Sequence, residues 1–97
     1  MGVSTPRTLS FAVRGPVDRD DLPGLCDRVC ALLEGSRADV AYCDVGGVEP
    51  NAVVVDALCR LQVAARRRGC QVRLRNASAE LLDLVSFMGL CEILVDD

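Results

Sequence analysis

Three short runs carry strand periodicity, and each is followed by a segment with the length and spacing of an amphipathic helix. The runs are Thr8 to Arg14 (TLSFAVR), Asp39 to Asp44 (DVAYCD) and Cys70 to Arg75 (CQVRLR). In the first, Leu9, Phe11 and Val13 lie on one side; in the third, Cys70, Val72 and Leu74 do, which is the period-2 signature of a half-buried strand. Between and after them, apolar residues recur at helical spacing: Leu22, Leu25, Cys26, Val29, Leu32 and Leu33; then Val54, Val55, Leu58, Leu61, Gln62 and Ala65; then Leu81, Leu82, Leu84, Val85 and Met88. Leu90 to Val95 reads as a last strand. Strict alternation of strands and helices is met by right-handed crossovers and a mainly parallel sheet. The expected fold class is therefore α/β. It is a single small domain with a mostly parallel or mixed four-stranded sheet in β-α-β-α-β-α-β order. The first strand, with its cleaner alternation, suits an edge position with one solvated face.

Local signals place the element ends. Gly15-Pro16 closes the first strand, and Asp20 is the expected N-cap of the first helix, which Gly35 should end. Gly46-Gly47 reads as a turn after the second strand. Asn51 is a good N-cap for a second helix running to Arg68, with Gly69 closing it. Ser78 caps a third helix that ends at Gly89. Residues 1–6 are expected to form a flexible tail and 7–97 the folded domain.

Composition bears on function at three points. The chain has no His, so the commonest general base and the commonest zinc ligand are missing. Its aromatic residues are Phe11, Tyr42 and Phe87, too few for a base-stacking platform, and its net charge is -3; no nucleic-acid partner is expected. No run approaches about 18 apolar residues and the first residues hold no apolar segment, so direct membrane insertion is not expected and a cytoplasmic location is. Cys26, Cys30, Cys43, Cys59, Cys70 and Cys91 each lie within an apolar segment and read as buried thiols, a disulfide or redox pair being the alternative. No metal and no cofactor are expected.

The stretch from Asp44 to Leu58, DVGGVEPNAVVVDAL, joins a strand end to a helix start. It contains no Ser, Thr, Cys, His or Lys beyond Asp44. Asp18, Asp44, Glu49 and Asp56 suit turns and caps better than an acid cluster, since no base or nucleophile accompanies them. Gly46-Gly47 admits close backbone approach to a phosphate, but lacks the Lys and Thr of a phosphate-binding loop. Val53 is either tucked beneath the loop or part of an interface. Arg66-Arg67-Arg68 suits a helix C-terminus, or, with Arg73 and Arg75, an anionic partner.

Taken in order, these segments resemble the STAS domain, the fold of bacterial anti-sigma factor antagonists and of sulfate-transporter tails. The carrying motifs are Gly15-Pro16-Val17-Asp18, Asp44-Val45-Gly46-Gly47-Val48, Ala65-Arg66-Arg67-Arg68-Gly69, Asn76-Ala77-Ser78-Ala79-Glu80 and Gly89-Leu90. The resemblance implies a non-enzymatic, regulatory protein-interaction module with Glu49, Asn51, Ala52, Val53, Asp56 and Arg60 on the partner-binding surface. It implies a protein partner such as a serine-kinase-type anti-sigma factor, or alternatively an accessory role on an ABC-type lipid transporter; a nucleotide-binding protein is the more distant reading. Antagonists of the family carry a phosphorylated Ser at the start of the second helix. Aligned backward from Leu58, that position is Ala52, so no phosphoacceptor is expected there. Ser78 and Ser86, the hydroxyls of the third helix region, read as a cap and a surface residue.

Overall fold

The computed structural model describes residues 7–89 and 94–95. Strand β1 spans Thr8–Gly15 and is followed by a short 3-10 turn, Arg19–Asp21, and helix α1, Leu22–Ser36. Strand β2 is Val40–Val48, helix α2 Ala52–Arg66, strand β3 Gln71–Arg75 and helix α3 Ala79–Met88. The strands β1, β2 and β3 lie in chain order and are parallel, with Ser10, Tyr42 and Arg73 side by side. Strand β4, Leu94–Val95, pairs parallel to β3 through Arg73 and Leu74. The tail expected over 1–6 and most of the last expected strand, 90–93, lie outside the described residues.

Sequential order and parallel pairing have one consequence. Crossovers of the same hand deliver successive helices to the same face of the sheet, and α1 does pack against α2, and α2 against β3 and α3. The covered face is built from Val13, Ala41, Cys43, Val45, Val72 and Leu74, all buried. The opposite face carries Thr8, Ser10, Ala12 and Arg14 from the edge strand β1, all exposed, then Tyr42 and Asp44, then Arg73 and Arg75. Arg75 stacks over the Tyr42 ring at 3.7 Å, a cation–π contact that keeps the one tyrosine on the open face.

Helix α2 is the centre of the molecule. Val54, Val55, Leu58, Leu61, Gln62 and Ala65, the expected inward stripe, are all buried, as are Ala57 and Cys59. Gln62 is the buried polar exception: its Oε1 accepts the Val72 N–H at 2.9 Å, and its Nε2 lies 3.5 Å from the Val72 carbonyl. Gln71 donates to Asp39 on the β2 side, so by strand alternation Val72 presents its backbone to the opposite edge. The glutamine completes the ladder there.

Four boundaries differ from the sequence expectation. Asp20 does not cap the first helix: Asp18 precedes the 3-10 turn, its N–H donating to Asp21 Oδ2 at 3.0 Å while the Asp21 N–H donates to the Asp18 carbonyl at 2.9 Å. Gly35 is helical, and α1 stops one residue beyond it, at Ser36; the next residue, Arg37, takes the left-handed conformation at φ 51° and donates to the Leu33 carbonyl. α2 ends at Arg66, and Gly69 at φ 72° turns the chain into β3. Most consequential, β2 runs through Gly46-Gly47 rather than turning there. Gly47 pairs with Arg14 and Val48 with Gly15, after a register shift between Ala12 and Arg14. A bulge of this kind sharpens local twist without ending the strand.

The thiols also divide. Cys26, Cys30, Cys43 and Cys70 are free. Cys59 is disulfide-bonded, a correction to its reading as a buried thiol, since tertiary proximity leaves no trace in local spacing. Burial on the covered face pushes the Cys43 thiol up to about 12, so it behaves as a small apolar side chain.

Candidate functional site: the start of helix α2

The segment from Asp44 to Arg60 is fixed at both ends. At its base, Asp44 Oδ1 accepts the Gly46 N–H at 2.9 Å. That bond, a second from the Asn76 side chain, and the nearby Arg14 and Arg75 hold the carboxyl below its ordinary value of 3.8. Asp44 thereby ties β2 to the loop leading into α3. The close approach explains Gly46: a Cβ there would meet Asn76 Cβ and Asp44 Oδ1, each at 3.2 Å. The glycine serves contact between two elements, not a turn.

At the other end, Asn51 sits extended at φ -156° and its Oδ1 accepts the Val54 N–H at 2.9 Å, capping α2 as expected. Ala52 is the first helical residue and is exposed; Glu49 is exposed beside it. Val53 is half-buried and packs against the core, so of the two readings it takes the tucked one. Asp56 is bonded twice: Oδ1 accepts from Arg60 Nε at 3.2 Å, and Oδ2 from Arg19 Nη1 at 3.4 Å. Asp56–Arg60 thus runs along α2, while Asp56–Arg19 ties the helix to the turn before α1. Exposed links of this kind contribute about 0–1 kcal/mol; these orient side chains more than they stabilise the fold.

The residues drawn together are therefore Ala52, Asp56 and Arg60 along the outer stripe of α2, with Glu49 on the preceding loop. Two further residues belong with them. Val63 continues the stripe and is 48% exposed; its signal in the sequence is an apolar residue out of phase with the inward set. Arg19 joins through Asp56, and no local pattern announces a partner 37 positions away. Arg66-Arg67-Arg68 does not extend the site as a block. Arg68 bonds Glu34 at 2.7 Å and the Ala64 carbonyl at 3.1 Å, serving both the helix end and the α1–α2 contact. Ser78, also considered for a hydroxyl role, accepts the Leu81 N–H at 3.1 Å as the cap of α3.

A capping amide, a carboxylate–guanidinium link and aliphatic side chains make contact chemistry, suited to a complementary protein surface. Among the described residues, no helix is long and apolar enough to cross a membrane. No curated protein matches the chain. A family model does: the one described as "Mlab, STAS domain" matches residues 3–96. With nearly its whole length matched, this chain belongs to the STAS domain family.

Proposed function

We propose that this protein is a non-enzymatic, cytoplasmic STAS-type interaction module that docks a regulatory protein through the outer stripe of α2. The supporting observation is the exposed, capped start of that helix: Ala52 stands at the surface just after the Asn51 cap, with Asp56, Arg60 and Val63 further along the same stripe. Phosphorylation controls docking by adding about two negative charges at such a place. Ala52 offers no hydroxyl, so docking here is constitutive. A partner such as a serine-kinase-type anti-sigma factor would be held rather than released by phosphate transfer to this position.

The missing hydroxyl equally suits a permanent subunit, and it favours one second reading: an accessory role on an ABC-type lipid transporter. Both readings use the same surface and differ in who is held. Tagged full-length protein, purified from its own cells with Ala52→Asp and Val63→Asp controls, separates them. A kinase-type regulator lost in both variants supports the first reading, and a transporter ATPase lost in both supports the second. A partner retained by both variants removes α2 as the docking surface. Intact mass checks the switch: a phosphate on the purified protein would end the constitutive reading.

A further inference from the structure

A second surface lies at the opposite end of the sheet order. Strand β1 is eight residues long, and among the described residues only β2 pairs with it, on one side. The Arg7 carbonyl accepts Asp39 and Val40 N–H groups from the β2 side. By strand alternation, Thr8, Ser10 and Ala12 aim their backbone N–H and C=O groups outward. Proteins usually blunt such an edge with charge, proline or brevity. From Thr8 to Val13 this one has none of these.

Beside that edge runs a groove of about 390 Å³ between β1 and α1. Phe11, Val13, Leu25, Val29 and Leu32 form its apolar wall, with Leu32 45% exposed. Arg14 and Arg28 stand at its margin. Asp21 also lines it, but its carboxylate is engaged by the Asp18 N–H. Arg14 also borders the open sheet face, at the end of β1, so two guanidiniums flank the groove on a chain of net charge -3.

We propose that β1 accepts an extended acidic segment of another protein as an added strand. Main-chain bonds to Ser10 and Ala12 supply affinity, and alternate side chains divide between the two faces. Apolar residues of the segment enter the groove, and its carboxylates lie over the open face beside Arg14. A second copy of this chain fits less well, because its own β1 carries no carboxylate to offer Arg14. The occupant is independent of whatever α2 holds.

The test uses the full chain and a capped, fluorescein-labelled octapeptide of repeating Val-Glu, with Val-Lys and Ser-Glu repeats as controls. Saturable binding of Val-Glu alone, weakening with added salt, is expected. Ser10→Pro removes one outward N–H without touching the β1–β2 ladder and should weaken binding about tenfold. Arg14→Glu should weaken it comparably while keeping the wild-type thermal midpoint, so the test stands if the proline variant fails to fold. Binding of Val-Lys as tight as Val-Glu, no saturation at about 1 mM, or indifference to Arg14→Glu would overturn the proposal. So would a concentration-dependent dimer abolished by Ser10→Pro, which assigns the edge to a second copy.

Discussion

Helices α2 and α3 are both rich in apolar residues, yet they stand very differently in the molecule. α2 buries eight side chains; α3, whose sequence AELLDLVSFM is the more apolar, buries Leu81 fully and leaves Phe87 88% exposed. Apolar content does not decide which helix becomes the core. Position does: α2 crosses from β2 to β3 and is flanked by α1 and α3, whereas among the described residues α3 packs against one helix, α2. The lesson is that a helix is buried by its neighbours in the sheet order as much as by its own composition.

Truncation at the centre of α2 should give the largest effect. Leu61 is 0% exposed, and Leu61→Ala should cost about 2–5 kcal/mol in urea unfolding. A loss near that of a surface change would break the comparison. Gln62→Leu keeps the volume but strands the buried Val72 N–H, at a cost of about 1–3 kcal/mol. Its signature is faster amide exchange at Val72 in the folded state. Arg37→Gly relieves a left-handed residue at the end of α1 and should add about 1 kcal/mol, read as a raised unfolding midpoint. Phe87→Ser on α3 should stay within about 0.5 kcal/mol; a larger loss would show that α3 is held more tightly than its exposure indicates.

Acid separates the two helices in another way. The Asp44 carboxyl, lowered in the folded state, contributes stability above 3.8, and that contribution is lost as pH falls through the lowered value. Its bond to Asn76 anchors the entry to α3. Amide protection in α3 should therefore fall before that in α2 as the solution is acidified, and Asp44→Asn should abolish the difference in pH dependence. Equal loss in both helices would sink the assignment.

The order of elements was legible because α2 and β3 carry clean periodicities, 3.6 residues in one and two in the other. The Asn51 and Ser78 caps were legible because each is a short polar residue placed before an apolar stripe. The extent of β2 was not: Gly46-Gly47 has the local chemistry of a turn, and only pairing with Arg14 and Gly15 and the approach of Asn76 keep it extended. The run Asp18-Arg19-Asp20-Asp21 offers three carboxylates, and nothing local chooses among them. At the site, Asn51, Ala52 and Glu49 could be placed from sequence. The bonding of Asp56 to Arg19 could not, because it joins segments that only the fold brings together. Val53 was undecided for the same reason: burial at a helix start depends on what lies beneath it.

The Gln62 amide offers Val72 one acceptor and one donor, much as a single peptide unit of a neighbouring strand would. Strand β3 is therefore held along one edge by two kinds of neighbour: β4 beside Arg73 and Leu74, and a helix side chain at Val72. One peptide group of the sheet depends on α2 for its bonding, so a disturbance of α2 near Gln62 reaches the sheet through a hydrogen bond as well as through packing. Helix and sheet are thus coupled at one residue, and loosening of either should be felt by the other there first.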